Sequence, residues 1–309
     1  MQVFRHIPSV ASSPAALAIG NFDGVHRGHR AIFDALRELS RQQGLTPCVM
    51  TFEPHPREFF SPDTAPVRLT SLREKLELFA DAGAERVYVV HFNRDFAALS
   101  ADDFMRKILH TLDARLLLLG DDFRFGAGRQ GDVAQLRAGG FTVESVPDIT
   151  LDGARISSTA VREALAAGDM ARAGALLGRP YSVSGRVVDG DKLGRQLGYP
   201  TANIFMPHEW PPLFGVYAVK LSGADAHDAE LAMPGVASFG VRPTMKNNGK
   251  ATLEVHLFDF NGDIYGRHVR VHFMKKLRAE LKFPDLESLK RQIALDELAA
   301  RDYFATENR

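Results

Sequence analysis

Leu17-Ala18-Ile19-Gly20-Asn21-Phe22-Asp23-Gly24-Val25-His26-Arg27-Gly28-His29 decides the fold of the first half of this 309-residue chain. Residues 17–22 read as a short buried strand that passes through a glycine-rich turn into a helix. Ile32, Phe33, Leu36 and Leu39 recur on one face of that helix. The alternation continues outward. Residues 48–52, 87–92 and 116–119 read as further strands, and 143–146 as a fifth. Ser71 to Glu74 has the form of a capping box and opens a helix carrying Leu72, Leu76 and Phe79. Ser100 caps another helix, with Phe104, Ile108 and Leu112 along one side. Such a rhythm predicts a parallel sheet with helices on both faces.

After Gly178 the pattern changes. Two short helices, 158–166 and 170–177, end at Gly178-Arg179-Pro180. Residues 181–188, 216–221, 234–239, 252–258 and 268–274 then read as strands. Turn residues separate them: Gly190-Asp191, Asn247-Asn248-Gly249 and Asn261-Gly262-Asp263. Short strands with such turns predict a small antiparallel β-barrel. Asp285 caps a last helix with Leu286, Leu289 and Ile293 aligned. The expected division is an α/β domain over 1–180, then the barrel with its C-terminal helix over 181–309.

Lys plus Arg and Asp plus Glu each number 38, so the formal net charge is zero. Proteins that grip nucleic acid through phosphates carry a basic excess, so a nucleic-acid partner is not expected. Cys48 is the single cysteine, which excludes an intrachain disulfide and suits a reducing compartment. No apolar leader or membrane-length apolar run is present, so a cytoplasmic protein with no membrane partner is expected.

The turn from Gly20 to His29 lets backbone approach a ligand and ends at a helix N-terminus, which suits phosphate. His26 and His29, three apart, can face one way and stabilise a charged transition state. Two ordinary alternatives remain: surface histidines on a turn, or a zinc pair, although no third or fourth ligand shows by spacing. No Walker-type phosphate loop occurs. Asp121 and Asp122 lie at a strand's C-terminal end, where open α/β sheets bind ligands. Ser157, Ser158 and Thr159 open a helix and can meet phosphate oxygens, and Arg162 follows about one turn later.

In the second half, Gly185, Gly190, Lys192, Gly194 and Arg195 form a candidate phosphate-wrapping segment, or a solvated hairpin. Thr201 and Asn203 share one side of an extended segment and offer hard oxygen ligands for Mg²⁺ carrying nucleotide phosphates. Leu253, Val255 and Leu257 mark a core face, so Glu254 and His256 face the other way. Glu254 is an exposed strand residue or a general base.

In combination these segments resemble a known family. Gly20 to His29 is similar to the H-x-G-H motif of nucleotidyltransferases in the form used by prokaryotic FAD synthetases. Gly120-Asp121-Asp122-Phe123-Arg124-Phe125-Gly126 and Arg155-Ile156-Ser157-Ser158-Thr159-Ala160-Val161-Arg162 resemble its second and third motifs. Thr51 to Pro56 resembles its loop on the FMN side, which assigns Pro54, His55 and Pro56 there. The barrel half resembles riboflavin kinase through Gly185 to Arg195, Pro200-Thr201-Ala202-Asn203, Leu253-Glu254-Val255-His256-Leu257 and Leu277-Arg278-Ala279-Glu280-Leu281-Lys282-Phe283.

The resemblance is to bifunctional riboflavin kinase/FMN adenylyltransferases and spans almost the whole chain. It implies a Rossmann-like nucleotidyltransferase domain before a riboflavin kinase-like barrel. It implies riboflavin, FMN and ATP as ligands, FMN and FAD as intermediate and product, and Mg²⁺. Thr201 and Asn203 would hold the metal, Glu254 would be the base, and Arg278 and Glu280 would close over flavin. His26, His29 and Arg162 would act on adenylyl transfer. Gly20, Asn21, Phe22, Asp23, Gly24, Gly28, Asp122, Ser157, Ser158 and Thr159 would bind ATP. Competing readings are a single active domain beside a degenerate one, a flavin-sensing module without turnover, and an RNA-binding relative.

Overall fold

The computed structural model describes residues 1–120, 122–190, 198–206, 213–225, 228–241 and 251–307. Two compact units result, Met1–Pro66 with Leu72–Ser157, and Val67–Ser71 with Ser158–Arg309.

The first unit is built on a sheet of six strands: β1 (Gln2–Phe4), β2 (Ala15–Ile19), β3 (Thr46–Glu53), β4 (Arg86–His91), β5 (Ala114–Leu119) and β6 (Thr142–Ser145). Their order is β1-β4-β3-β2-β5-β6, and every neighbouring pair is parallel. Helices cover both faces, as the alternation predicted. Phe33 and Leu36 of α1 (Arg27–Gln43) lie on one side. Short helices α2 (Pro56–Phe60) and α3 (Leu72–Asp81) follow, and Leu78 and Phe79 of α3 join Ala16 and Ala18 on that side. The opposite face carries Leu17 and Ile19 against Phe104 and Ile108. Central β2 is therefore buried along its whole length.

Three details depart from the expected elements. β1 was not predicted; it is three residues long and exists by pairing with Arg86–Tyr88 at the sheet edge. β2 ends at Ile19 rather than Phe22, because Phe22 and Val25 take positive φ values of 49° and 41° that no strand accommodates. After α4 (Arg94–Ala97), the helix capped by Ser100 is not continuous. The cap itself holds, Ser100 Oγ accepting the Asp103 N–H at 3.1 Å. However, α5 (Ala101–Phe104) passes into one π-helical stretch, Met105–Leu109, with the His110 N–H bonded to the Met105 carbonyl. α6 (Val133–Ala138) and the hairpin β7 (Thr150–Leu151) and β8 (Ala154–Arg155) complete the unit.

The second unit opens with α7 (Ser158–Ala167) and α8 (Met170–Leu177). Gly178, left-handed at φ 74°, ends α8 by donating its N–H to the Gly174 carbonyl. A closed barrel follows: β9 (Tyr181–Val188), β10 (Ala202–Phe205), β11 (Gly215–Ser222), β12 (Met233–Val241), β13 (Ala251–Leu257) and β14 (His268–Arg278). Its circular order is β10-β13-β12-β11-β14-β9, antiparallel throughout. The five strands predicted are present. β10 is the sixth, and its pairing with both β13 and β9 closes the barrel. Phe239, Leu253, Val255 and Phe273 are among the buried core residues of these strands.

Asp285 caps the final helix, α9 (Leu286–Glu307), accepting the Ser288 N–H at 2.7 Å. Its packing face continues the one aligned in the sequence: Leu289 and Ile293 are half-buried, and Asp296, Ala300 and Phe304 follow on the same stripe. Leu286 is 54% exposed, while Ala300 and Phe304 pack on Ala218 and Phe258. Among the described residues no helix is long and apolar enough to cross a membrane.

Candidate functional site

Two sites take shape, one in each unit. The first starts where β2 stops. Gly20 donates to the Met50 carbonyl, and the chain then turns through Phe22, Gly24 and Val25, all at positive φ. A bulky residue in that backbone region is strained and persists only when its surroundings over-determine it. Here the core does so. Val25 is fully buried, and the Phe22 ring packs on Phe33, Phe79 and His29 at 4.9, 5.7 and 5.2 Å. Gly20 is glycine because a Cβ would sit 2.9 Å from the Phe22 ring. Asp23 is buried beside it.

His26 is the N-cap of α1, its Nδ1 accepting the His29 N–H at 3.3 Å. An Nδ1 that accepts carries no proton, so the neutral ring has its proton on Nε2. The two imidazoles stack with centroids 3.6 Å apart and planes 19° apart, as the three-residue spacing allowed. Gly28 gives room for this, since a Cβ there would lie 3.2 Å from the His26 ring. His29 is half-buried, yet its Nδ1 is fully covered and has no hydrogen-bond partner among the described residues. Burial holds its pKa well below the ordinary value, helped by the neighbouring His26 imidazole and the Lys75 ammonium, which disfavour a second cation there. His29 is therefore a neutral imidazole at pH 7. An unmatched lone pair is tolerated better than an unmatched N–H, which leaves the proton on Nε2. Among the described residues no cluster of three or more His, Cys, Asp or Glu could hold a metal. The stacked rings thus have the character of two N–H donors rather than a zinc pair.

Beside this turn lies a cavity of about 540 Å³, within the range of small-molecule sites. Gly20, Asn21, His55, Pro56 and Asp122 line it, which brings five expected residues together. Pro54 directly precedes His55 in the chain. His55 caps α2, accepting the Arg57 N–H, and its own N–H donates to Glu58. Asn21 contributes a buried Oδ1 with no partner among the described residues. The walls are aromatic: Phe52, Phe92 and Phe96 meet one another at 5.6 to 5.9 Å. Arg57, Arg124 and Arg129 supply cations. A flat aromatic ligand bearing an anionic group suits such a lining. Sequence reading missed the aromatic walls, although the recurrence of Phe between 52 and 104 was a usable signal.

Ser157 immediately precedes α7, and Ser158 and Thr159 form its first turn, as expected. That end carries the positive pole of the helix. Arg162, one turn along, donates through Nε to the Val67 carbonyl. Asp121 lies outside the described residues, as do Lys192, Gly194 and Arg195.

The second site is a sheet face. Antiparallel register sets Asn203 opposite Glu254, and Ser238 opposite Glu254 on its other side. Directly opposed residues project to the same face. Leu253, Val255 and Leu257 point into the core, so Glu254 and Asn203 point out together. Thr201 is not on the strand as expected; β10 begins one residue later, at Ala202. Gly190 abuts Asn203, and a Cβ there would strike the Asn203 amide. Gly185 has a different use from phosphate wrapping: it is buried in β9 with the Phe205 carbonyl where a Cβ would stand, which lets β10 approach.

Thr201, Glu254, His256, Arg278 and Glu280 line one cavity of about 280 Å³, roofed by Leu289 and Ile293 of α9. Arg278 is held by Asp296 of α9 in a bidentate pair, Nε to Oδ1 at 2.8 Å and Nη2 to Oδ2 at 2.7 Å. Its guanidinium also lies 5.8 Å from the Phe283 ring. Burial raises the Glu280 pKa and Arg278 opposes that rise. Glu280's carboxylate rests on Gly240, where any side chain would collide with it. Thr201 also lines a second, more polar cavity of about 760 Å³ with Phe260, Asp263 and Tyr265. Thr201 thus stands between two cavities, as a group that joins two ligands would. Asp296 was not foreseen, because its role depends on a partner on another element.

Comparison with known proteins matches a different family to each part of the chain. The FAD synthetase family matches residues 9–160 and the riboflavin kinase family residues 177–304. The bifunctional riboflavin kinase/FMN adenylyltransferase of Escherichia coli (strain K12) is 49% identical over 312 residues, covering 98% of each chain. That of Pseudomonas fluorescens is 50% identical over 288 residues, covering 92% of this chain and 91% of the relative. A crystal structure from Streptococcus pneumoniae, named a macrolide-efflux protein, superposes with a TM-score of 0.81 at 30% identity. It covers 97% of this chain and 98% of its own.

Proposed function

The chain belongs to the bifunctional riboflavin kinase/FMN adenylyltransferase family, and from that premise we propose which residues carry each reaction. It converts riboflavin and ATP to FMN, and FMN with a second ATP to FAD. The kinase reaction belongs to residues 181–309 and adenylyl transfer to residues 1–180.

In the barrel, Glu254 takes the proton from the ribityl 5′-hydroxyl of riboflavin. That oxygen attacks the γ-phosphorus of ATP, the bond to the bridging oxygen breaks, and FMN and ADP form. The cross-strand pairing of Glu254 with Asn203 carries this assignment, since it sets the base beside a phosphate-side ligand. Thr201 and Asn203 fit Mg²⁺: they are hard oxygen donors, and Mg²⁺ takes few protein ligands when phosphates supply the rest. Bound there, it would neutralise charge on the transferring phosphoryl group. Arg278, fixed by Asp296, and Glu280 close the flavin side.

In the α/β part, an FMN phosphate oxygen attacks the α-phosphorus of ATP, and pyrophosphate leaves. The nucleophile is already anionic, so no base is needed. His26 and His29 donate N–H groups to the charge that develops. The resemblance assigns Gly24, Gly28, Ser157, Ser158, Thr159 and Arg162 to the same reaction. The aromatic cavity takes the isoalloxazine ring of FMN. A cytoplasmic setting suits the ATP requirement and the single buried cysteine, Cys48.

The deciding experiment incubates the protein with riboflavin, ATP and Mg²⁺ and follows FMN and FAD by chromatography. Glu254→Gln should block FMN formation yet still convert added FMN to FAD. Equal loss of both steps would sink the two-site assignment.

A further inference from the structure

His256 shares the outward face of β13 with Glu254, two residues along, and has no part in the assignments above. Its Nδ1 lies 2.9 Å from the Pro200 carbonyl oxygen. A carbonyl only accepts, so Nδ1 carries a proton and donates it. Its ring also meets Tyr199 edge to face, with centroids 5.4 Å apart and planes at 80°. His256 thus holds two consecutive residues of the segment that leads to Thr201.

Register explains why a side chain is needed there. β10 and β13 pair Ala202 with Val255 and Asn203 with Glu254. One further pair would set Thr201 opposite His256, but β10 starts at Ala202. Residues 199–201 therefore lie beyond the ladder, and Pro200 has no N–H to offer it. The His256 ring bonds the chain where the strand stops doing so. The Pro200 carbonyl belongs to the peptide plane whose nitrogen is that of Thr201, so fixing this oxygen fixes the backbone from which Thr201 projects.

We propose that His256 is a positioning residue for the kinase reaction, holding Thr201 in place for the nucleotide phosphates through the Pro200 carbonyl. This rests on the assignment of Thr201 and Glu254 given above. His256 acts through the Pro200 carbonyl, so its removal should loosen nucleotide binding more than it slows the chemistry.

The test uses the full chain with His256→Ala, His256→Asn and His256→Gln. Asparagine carries an N–H near the position of Nδ1 and can still reach the carbonyl; glutamine carries its amide one bond farther out. KM for MgATP, KM for riboflavin and kcat are measured for FMN formation. Affinity for MgADP is measured by calorimetry, and circular dichroism with thermal unfolding reports on folding of the barrel. The expected result for Ala is a rise of about five- to tenfold in KM for MgATP and in Kd for MgADP. The riboflavin KM should hold, Asn should recover most of the loss, and Gln should not. The proposal fails if Ala leaves nucleotide affinity unchanged, if Asn performs no better than Gln, or if riboflavin affinity falls equally. Should Ala not fold, the contrast of Asn with Gln still decides. Glu254→Gln separates the two levels. If that variant keeps full kinase activity, the site assignment fails. If it is inactive while the His256 variants are silent, only the positioning role fails.

Discussion

The turn at His26 and the face around Glu254, the two regions proposed above to handle phosphates, are built in opposite ways. The turn is closely packed and made of strained backbone, with Phe22 and Val25 buried at positive φ and His29 held neutral. The face is a row of side chains set by strand register, with carboxylates at Glu254, Glu280 and Asp296 around one cavity. Under the proposed assignments the difference follows the nucleophile. A phosphate arrives charged and needs donors for the charge it creates. An alcohol arrives protonated and needs a carboxylate to receive that proton.

The largest expected effect tests that contrast. Glu254→Gln should lower FMN formation by about two to four orders of magnitude, with FAD formation from FMN unaffected, in steady-state assays. His29→Ala should do the reverse, lowering FAD formation about a hundred- to a thousandfold. A His29 variant that also slowed riboflavin phosphorylation would erase the distinction between the two regions.

Asp296→Ala should have a smaller effect that sharpens the account of the face. It leaves the Arg278 guanidinium beside Phe283 without its bidentate partner. A loss of about 2–3 kcal/mol in denaturant unfolding is expected, together with a raised riboflavin KM. An unchanged KM would confine the pair to stability.

The smallest effect concerns pH. His29 is neutral when folded, whereas an unfolded histidine titrates near about 6.5. The unfolded chain therefore binds more protons below that value, so His29 lowers stability as pH falls through it and costs nothing above it. By NMR, the His29 ring resonances should stay in the neutral position through the pH at which an ordinary histidine titrates, about 6.5. Titration at the ordinary value would remove the burial argued for the His29 ring.

Patterning made much of this visible beforehand. The stripe of Phe33 and Leu36, the uninterrupted apolar run of β2 and the alternation of β13 each reported a face that packing then used. Motif order located both chemical regions. What stayed hidden depends on partners distant in sequence. β1 has too few residues to show a period. Asp296 acquires meaning only from Arg278, eighteen residues earlier. His256 acquires it from Pro200, fifty-six residues away. Thr201 seemed to share a strand with Asn203, but proline's missing N–H moves the strand's start past it.

The buried rings of the H-x-G-H turn have one more consequence. Phe22 and Val25 belong to the same packed cluster as Phe33 and Phe79, so the turn cannot open without extracting core side chains. Local melting of this loop is therefore tied to cooperative loss of the α/β core, not to a separate low-energy excursion. A molecule whose core has formed has its imidazole pair assembled as well, and maturation of this site needs no event later than folding.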